Sequence, residues 1–354
     1  MTTLKDIAFA AGVSVDTVSR VLNGKAGEAW PSAVRRAERI REIAEKLNYA
    51  PNKAAQIMRT RKTHQIGVMV SELYNPFTGR KVEAIADALA GYGYEMLLGL
   101  TRARSRPDGN VVSEFPADSE KFFATFSRNL LDGIINLDPL LGTDDLKRIA
   151  PRMPCVTFGR SETESPAVFD VRAAVTILME HLWSLGHRRI AIVTGLDKGD
   201  MKRVRSSAWE AFYASRPVAA RSEWIIKGNW KAEHGRQAAR ELTDTDCTAC
   251  VAGNDLLAVG LIAGLRELGR EVPRDYSVVS IEDSLLTEIT YPPLTSARQP
   301  VGELVRLTVA ALVDLLEGRP MPACQVLPPE LVVRHSCAPV LPAVAAVAAA
   351  AGTG

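Results

Sequence analysis

The chain has 354 residues, of which 47% are hydrophobic and 24% are charged, and its mean hydropathy is zero. This composition excludes disordered, collagen-like and membrane-spanning proteins, and the length is sufficient for two or three globular domains. No run of about 18 uncharged apolar residues occurs, and Lys5 and Asp6 lie where the apolar core of a secretory signal would be. We therefore expect a cytoplasmic protein that makes no contact with a membrane.

The charges are unevenly distributed along the chain. Residues 1–64 contain 12 lysines and arginines against 6 aspartates and glutamates, a net charge of +6, whereas the remainder contains 31 against 35, a net charge of −4. A small basic segment joined to a mildly acidic body predicts that a polyanion contacts the first segment only.

The five cysteines are scattered, which argues against a disulfide framework. Cys247 and Cys250 form a C-x-x-C pair, but no second pair and no nearby histidine completes a zinc site. We interpret both as small buried residues that lead into a strand. The sequence predicts neither a metal nor a cofactor.

The N-terminal segment predicts three helices. An apolar stripe marks the first helix, a short turn follows at Gly12, and Ser14 is a suitable N-cap for a second helix. A third helix begins near Ser32, with apolar residues on one face and arginines elsewhere. Two short helices joined by a glycine turn and supported by a third are typical of an all-α helix-turn-helix DNA-binding domain, which we place at residues 1–50.

Residues 51–64 form a linker in which the apolar spacing predicts a helix of about eight residues. A helix of this length is unstable by itself in water. We therefore expect the linker to order only when something packs on it.

From residue 65 onward, short apolar runs alternate with longer segments of helical period. This alternation predicts an α/β body with doubly wound parallel sheets, and the number of strands suits two such sheets within residues 65–338. Residues 103–120 have the composition of a surface insertion after the second strand. The alanine-rich, low-complexity tail at 339–354 is expected to be disordered.

Several motifs occur in an order that is similar to that of a known family. They are LKDIAFAAGVSVDTVSRVLNG, LNYAPNKAAQIMRTRKTHQIGVMVSELYNPF, EHLWSLGHRRIAIVTG, GNDLLAVGLIAGLRELGREVPRDYSVVSIED, PPLTSARQP and LPPELVVRHS. Together they resemble the LacI/GalR family of transcriptional regulators across residues 3–338. The resemblance implies a homodimer with helix-turn-helix heads, hinge helices and a body like the periplasmic sugar-binding proteins. A small molecule would bind between two subdomains, one at about 65–164 and 295–320, the other at about 165–292 and 321–338.

The second helix carries the candidate base-reading residues, which are Val15, Asp16 and Arg20. Arg20 can donate two hydrogen bonds to guanine and Asp16 can accept one from cytosine, each worth about 1 to 3 kcal/mol of discrimination. An alternative for Asp16 is a role in complementing the helix dipole, or in an i,i+4 ion pair with Arg20. Contacts to the phosphate backbone, which position the protein without specifying a sequence, are expected from Thr17, Ser19, Asn23, Arg59 and Arg61.

The linker resembles the family's minor-groove element, in which an apolar side chain wedges between base steps and kinks the duplex. Met58 stands where the family usually has leucine. The resemblance implies that the residues facing the groove beside it are Asn52, Ala55 and Gln56. The connection Lys25–Ser32 is longer than is usual before the third helix.

Ligands of open α/β sheets bind beyond the carboxyl ends of the strands. The resemblance implies that the effector is contacted there by Phe77, Thr78, Trp230, Asn254 and Glu282. Aromatic rings together with acceptors of hydroxyl protons suit a polyhydroxylated ligand, so the leading class is a sugar or a sugar derivative. An alternative is that Asn254 merely caps the helix that follows it, a role also expected of Asp255.

Three positions in the body depart from the family pattern. Thr78 replaces a second aromatic residue, Ala208 stands where an arginine commonly reaches the ligand, and Glu282 replaces an aspartate. Arg203 or Arg205 could substitute for the missing arginine, and either could equally be a surface charge.

These features predict a sequence-specific DNA-binding regulator, acting as a repressor on a pseudopalindromic operator, whose operator affinity is controlled by a small-molecule effector. The alternative is a cytoplasmic or exported sugar-binding protein without a DNA-binding role, which would have no use for a basic head. The chain contains none of the phosphate-binding, nucleophile-elbow or zinc-protease motifs that common enzymes carry. An enzyme is therefore not expected.

Overall fold

The computed structural model describes residues 2–22, 30–49, 57, 62–105, 111–114, 130–195 and 204–340, apart from 140, 143, 145, 148, 149, 152, 160 and 161. The chain divides into two compact units, residues 1–63 and 64–354, which we call the head and the body. Some positions that the sequence singled out lie outside the described residues. They are Asn23, most of the connection Lys25–Ser32, the linker residues Asn52, Ala55, Gln56, Met58, Arg59 and Arg61, Arg203, and the tail beyond Val340.

The described helices of the head are α1 (Leu4–Ala11), α2 (Val15–Leu22) and α3 (Pro31–Lys46). Helix α1 ends at Gly12, whose φ of 67° lies in the left-handed region that favours glycine. Apolar side chains from all three helices, among them Ile7, Val18 and Ile40, are buried together in one core. The helical head expected from the sequence is confirmed.

The body contains two larger sheets, and we name its halves the four-stranded lobe and the six-stranded lobe. The strands of the four-stranded lobe are β1 (Gln65–Val70), β2 (Glu95–Leu100), β5 (Gly133–Asn136) and β6 (Cys155–Thr157). Their order is β2-β1-β5-β6, and every neighbouring pair is parallel. Two helices, α4 (Pro76–Gly91) and α10 (Val301–Leu316), bury their apolar faces with those of β1.

The strands of the six-stranded lobe are β8 (Ile190–Gly195), β9 (Ile225–Gly228), β10 (Ala249–Ala252), β11 (Ser277–Glu282), β12 (Thr295–Arg298) and β14 (Glu330–Val332). Their order is β14-β12-β11-β10-β8-β9, and only β14 runs antiparallel to its neighbour. The helices of this lobe are α5 (Val171–Ser184), α6 (Val204–Ala214), α7 (Ala232–Thr243), α8 (Asp255–Glu267) and the short α9 (Leu286–Ile289). The two sheets confirm the expected doubly wound α/β body. The expected bounds of the first subdomain included residues 295–298, whereas β12 pairs with β11 in the six-stranded sheet.

The described part of the body also contains smaller elements. The strands β3 (Arg102–Ser105) and β4 (Val111–Glu114) pair antiparallel, so part of the insertion expected at 103–120 is a hairpin. The strands β7 (Ala167–Phe169) and β13 (Gln325–Leu327) form a separate parallel pair. One turn of 3-10 helix spans Ser222–Trp224.

Two further findings concern membranes and metals. Within the described ranges, no helix combines the length and apolarity needed to cross a bilayer, and no group of three or more His, Cys, Asp and Glu side chains is arranged to hold a metal ion. Cys247 and Cys250 are both buried, and burial raises the pKa of both thiols.

Helices α7 and α8 approach each other closely through glycines. A Cβ atom added to Gly260 would overlap the backbone oxygen of Ala232, and one added to Gly235 would overlap the backbone oxygen of Leu257. Backbone atoms cannot rotate away as a side chain can. The contact between the two helices therefore requires glycine at both positions.

Gly260→Ala is expected to destabilise the body by about 1 to 3 kcal/mol, because α7 and α8 must move apart to accept the methyl group. Urea or thermal denaturation measures the change. The matched control is Gly302→Ala, where a Cβ meets nothing within 4 Å and alanine is the better helix former. Equal stability of the two variants would contradict the close packing.

Candidate functional site

The second helix of the head presents the candidate base-reading residues to solvent. Val18 and Val21 are buried in the core, whereas Val15, Asp16 and Arg20 are exposed. Arg20 Nη1 lies 3.9 Å from Asp16 Oδ2, and both side chains are mostly exposed. The ion pair that the sequence left open is therefore present. An exposed pair of this kind is worth at most about 1 kcal/mol, so either side chain can leave it to contact a base.

Two of the expected phosphate contacts, Thr17 and Ser19, lie on the same helix and are half-buried. The Thr17 N–H donates to Ser14 Oγ at 3.2 Å, and the two hydroxyl oxygens are 2.9 Å apart. Ser14 thus caps the helix as its position suggested. The start of α2 is ordered by side-chain hydrogen bonds, which favours a fixed recognition surface.

In the body, the candidate site lies at the carboxyl ends of the strands of the six-stranded lobe. The turn after β11 is tightly constrained, because Glu282 and Asp283 have φ angles of 117° and 57°, which non-glycine residues rarely adopt. The buried Asp283 carboxylate lies 2.6 Å from Arg334 Nη1 and 2.7 Å from Arg298 Nε. Burial raises the pKa of Asp283, but the hydrogen bonds from Arg334 and Arg298 outweigh it and hold the pKa below its ordinary value. This ionised carboxylate fixes the turn.

The side chains at the end of β10 form hydrogen bonds within the protein. Asn254 caps α8, since its Oδ1 accepts from the Leu257 N–H at 2.8 Å, and its Nδ2 donates to the backbone oxygen of Trp230 at 3.2 Å. The expectation that Asp255 caps this helix is wrong. Asp255 is the first helical residue, and its fully buried carboxylate accepts from Ser280 Oγ and from the Ser284 N–H, each at 2.6 Å.

Glu282 differs from its neighbours because one of its side-chain oxygens has no hydrogen-bond partner. The residue is only 9% exposed, and its Oε2 is buried without a hydrogen-bond partner. Burial and the charge of Asp255 raise the pKa of Glu282 to about 8, against the opposing influence of Lys81 and Arg205. A buried polar atom without a partner is rare in folded proteins. Glu282 can therefore receive a hydrogen bond from a ligand.

The indole of Trp230 lies across the ends of β8 and β10. Gly195 and Gly253 leave the space for it: a Cβ on Gly253 would lie 2.9 Å from Trp230 Cζ3, and one on Gly195 would overlap the indole. Arg205 lies over the ring with Cζ 4.7 Å from its centroid, and its Nε donates to the Gly253 oxygen at 3.0 Å. Ala208 is buried. Arg205, about one turn earlier on α6, is thus the arginine beside the candidate ligand-binding ring.

The first turns of α4, in the four-stranded lobe, form the facing wall. Asn75 caps this helix by accepting from the Phe77 N–H at 2.9 Å. Phe77 is 1% exposed and belongs to the core of the lobe, and Thr78 is half-buried. Lys81 Nζ lies 4.3 Å from the ring centroid of Phe77 and 5.8 Å from that of Phe158. The Phe77 ring is therefore buried against the Lys81 ammonium and does not itself line the cleft.

The two lobes meet around these residues, in a space that we call the cleft. Arg80 Nη1 of α4 donates to the backbone oxygen of Asp283 at 3.1 Å. Lys231 Nζ of the six-stranded lobe lies 5.9 Å from the ring centroid of Tyr74. Sequence reasoning did not find Lys81 as a cleft residue. The sequence signal that could have identified Lys81 is its position one helical turn after Phe77 on the same helix.

Comparison with known proteins decides the family. Residues 3–52 match the profile of bacterial regulatory proteins of the lacI family, and residues 179–337 match that of the periplasmic binding protein-like domain. The HTH-type transcriptional regulator reg1 of Streptomyces lividans is 33% identical over 360 residues, which cover 95% of this chain and 97% of the relative. The chain belongs to the LacI family.

Two similar solved structures cover both units of the chain. The lac repressor dimer bound to operator and the anti-inducer ONPF has a TM-score of 0.76 and 26% identity, covering 95% of this chain and 99% of that one. The complex of the transcriptional regulator CelR with cellobiose has a TM-score of 0.66 and 28% identity, covering 95% and 100%. This LacI-family chain is therefore a helix-turn-helix transcriptional regulator and not an enzyme, as its sequence predicted.

Glu282→Gln is expected to alter the pH dependence of stability. The pKa of Glu282 rises from its ordinary value near 4.5 to about 8 on folding. Its stabilising contribution is therefore fully present below about pH 4.5 and is lost as the pH rises through about 8.

Glutamine resembles the protonated side chain but does not titrate. The unfolding temperature of the unsubstituted protein should thus fall relative to that of Glu282→Gln between about pH 5 and about pH 9. Thermal denaturation of both proteins across this range measures the difference. A constant difference would show that the Glu282 carboxyl titrates normally.

Proposed function

We propose that the protein is a dimeric cytoplasmic repressor that binds a pseudopalindromic operator, and that a sugar or sugar derivative held between the two lobes sets its operator affinity. One observation carries the effector part of this proposal. Glu282 is buried at the carboxyl edge of the sheet with an oxygen that no side chain of the described residues satisfies. A ligand bound between the lobes at that place would give this oxygen a hydrogen-bond donor.

The operator contacts follow from the exposed face of α2. Arg20 and Asp16 would read base edges in the major groove with Val15 beside them. Phosphate contacts would come from Thr17, Ser19, Asn23, Arg59 and Arg61, and the minor-groove contacts from Asn52, Ala55, Gln56 and Met58. The net charge of +6 on residues 1–64 supports this assignment, as does the operator-bound lac repressor dimer.

A carbohydrate suits the groups that surround the cleft. Glu282 would accept a hydrogen bond from a sugar hydroxyl, and the edge of Trp230 would pack on the apolar face of the ring. Asn254 retains one amide hydrogen for a ligand after its bond to the backbone of Trp230. Phe77 and Thr78 would act through the helix that carries Lys81. The cellobiose bound by CelR supports this ligand class.

Exposed apolar side chains on the body support the dimer. Leu98 and Leu100 lie on β2, at the edge of the four-stranded sheet, and are 42% and 49% exposed. Leu285, Ile289 and Tyr291, around α9, are 65%, 67% and 87% exposed. Apolar surface at a strand edge and on a short helix is commonly covered by a second subunit. We assign both surfaces to the dimer interface.

Arg20→Ala should abolish discrimination at one symmetric base pair of the operator, because a bidentate contact to guanine is worth about 1 to 3 kcal/mol. Fluorescence anisotropy with a duplex selected by the unsubstituted protein, and with its single-base variants, measures this loss. The matched control is Arg39→Ala, which removes an equally exposed charge from α3 and should leave the base preference intact. Unchanged preference at every position in Arg20→Ala would contradict the proposed readout.

Glu282→Ala should weaken binding of the effector by about 0.5 to 1.5 kcal/mol near neutral pH, the scale of a hydrogen bond between neutral groups, because its raised pKa leaves most of the Glu282 carboxyl protonated there. A thermal-shift screen of ribose, cellobiose, related sugars and their phosphates identifies the ligand, because binding to the native state raises the unfolding temperature. Calorimetry then compares Glu282→Ala with Glu83→Ala, which removes an exposed glutamate of α4. Normal effector affinity in Glu282→Ala would place the ligand site elsewhere.

A further inference from the structure

Lys81 is an unusual residue for the wall of a sugar-binding cleft. Its ammonium lies against the rings of Phe77 and Phe158. None of the described residues accepts a hydrogen bond from it or pairs with it at 4 Å or less. Burial lowers the pKa of Lys81 and the Arg205 charge adds to this, whereas Glu282 and Glu72 oppose it. Lys81 is half-buried, and a partly desolvated cation that has neither a hydrogen-bond acceptor nor an ion pair is costly.

Glu282, in the other lobe, has a hydrogen-bond acceptor that lacks a donor. Its Oε2 is buried and has no hydrogen-bond partner, and its charge influences Lys81 from beyond ion-pairing distance. One wall of the cleft thus offers a donor without an acceptor, and the opposite wall offers an acceptor without a donor. A molecule between the lobes that carries both groups would satisfy both walls.

We propose that Lys81 binds an acidic group of the effector, so that the cleft selects a sugar that carries a carboxylate or a phosphate, with a hydroxyl of the same sugar on Glu282. This inference rests on the proposed function and narrows its ligand class. Lys81 becomes a specificity-determining residue that no family motif supplied.

An acidic group fits this position better than a neutral hydroxyl does. A hydroxyl oxygen satisfies one N–H of the ammonium but leaves its charge uncompensated in a partly apolar surrounding. Arg205, which lies over Trp230, acts on the Lys81 ammonium in the unfavourable direction. An anion placed near both cations is attracted by both, and charge-assisted hydrogen bonds are stronger than neutral ones.

The test compares sugars that differ only in charge. The probes are glucose, glucuronate and glucose 6-phosphate, with the corresponding galactose set and with ribose and ribose 5-phosphate, at constant ionic strength. Thermal shift and calorimetry are measured on the full-length protein. The variants are Lys81→Met, which keeps the aliphatic stem over Phe77, Lys81→Arg, which keeps the charge, and the control Lys147→Met, which removes an exposed lysine of the same lobe.

In at least one set, the unsubstituted protein and Lys147→Met should bind the acidic member more tightly than the neutral one. Lys81→Met should weaken that binding about 10- to 100-fold and lose the preference, while Lys81→Arg should retain it. The uronate and phosphate arms tell which acidic group is preferred.

Three results would overturn the inference: a neutral sugar binding as tightly as its acidic counterparts in every set, no binding of any acidic sugar, or an unchanged preference in Lys81→Met. The proposed function is separated from it by operator binding. If neutral sugars bind as tightly as their acidic counterparts and change operator affinity, the proposed function is supported and the role of Lys81 is contradicted. If no sugar of either kind changes operator affinity, both the proposed sugar effector and the role of Lys81 are contradicted.

Discussion

The turn that follows β11 is the constraint on which the cleft depends. Glu282 and Asp283 both hold positive φ angles, and each such residue costs about 1 to 3 kcal/mol. The turn persists because buried Asp283 pairs with Arg298 and Arg334, and loss of either arginine would leave a buried carboxylate with fewer partners. These ion pairs hold Glu282 in one direction, so a ligand meets a carboxyl group that is already oriented.

The same turn joins parts of the body that are distant in sequence. Arg298 belongs to β12, Arg334 follows β14, and Arg80 reaches the backbone of Asp283 from the four-stranded lobe. Because both lobes contact one fixed turn, a ligand that changes their separation must lengthen or break the Arg80 contact. Binding between the lobes can thus favour one arrangement of the body over another, which is what ligand control of a second site requires.

The head and the sheets could be predicted because their signals are local. Ile7 belongs to the apolar stripe of α1 and Val18 to that of α2, and strands such as β8 are largely continuous apolar runs. The cleft could be predicted only in part, because its residues have no fixed spacing. The sequence placed Glu282 at a strand end, but its positive φ is set by ion pairs with distant arginines. The approach of Lys81, and the burial of Asp255 away from a capping role, likewise depend on packing between elements that no local pattern encodes.

Reciprocal coupling between the cleft and the operator site is the central claim, and it can be measured directly. The measurement is the affinity of the carbohydrate that most stabilises the body, for free protein and for operator-bound protein. Linkage requires that the ratio of these affinities equal the ratio of operator affinities with and without the carbohydrate. We expect equal ratios of about 5- to 150-fold. Ratios of one, with the carbohydrate bound equally well to both forms, would contradict the claim.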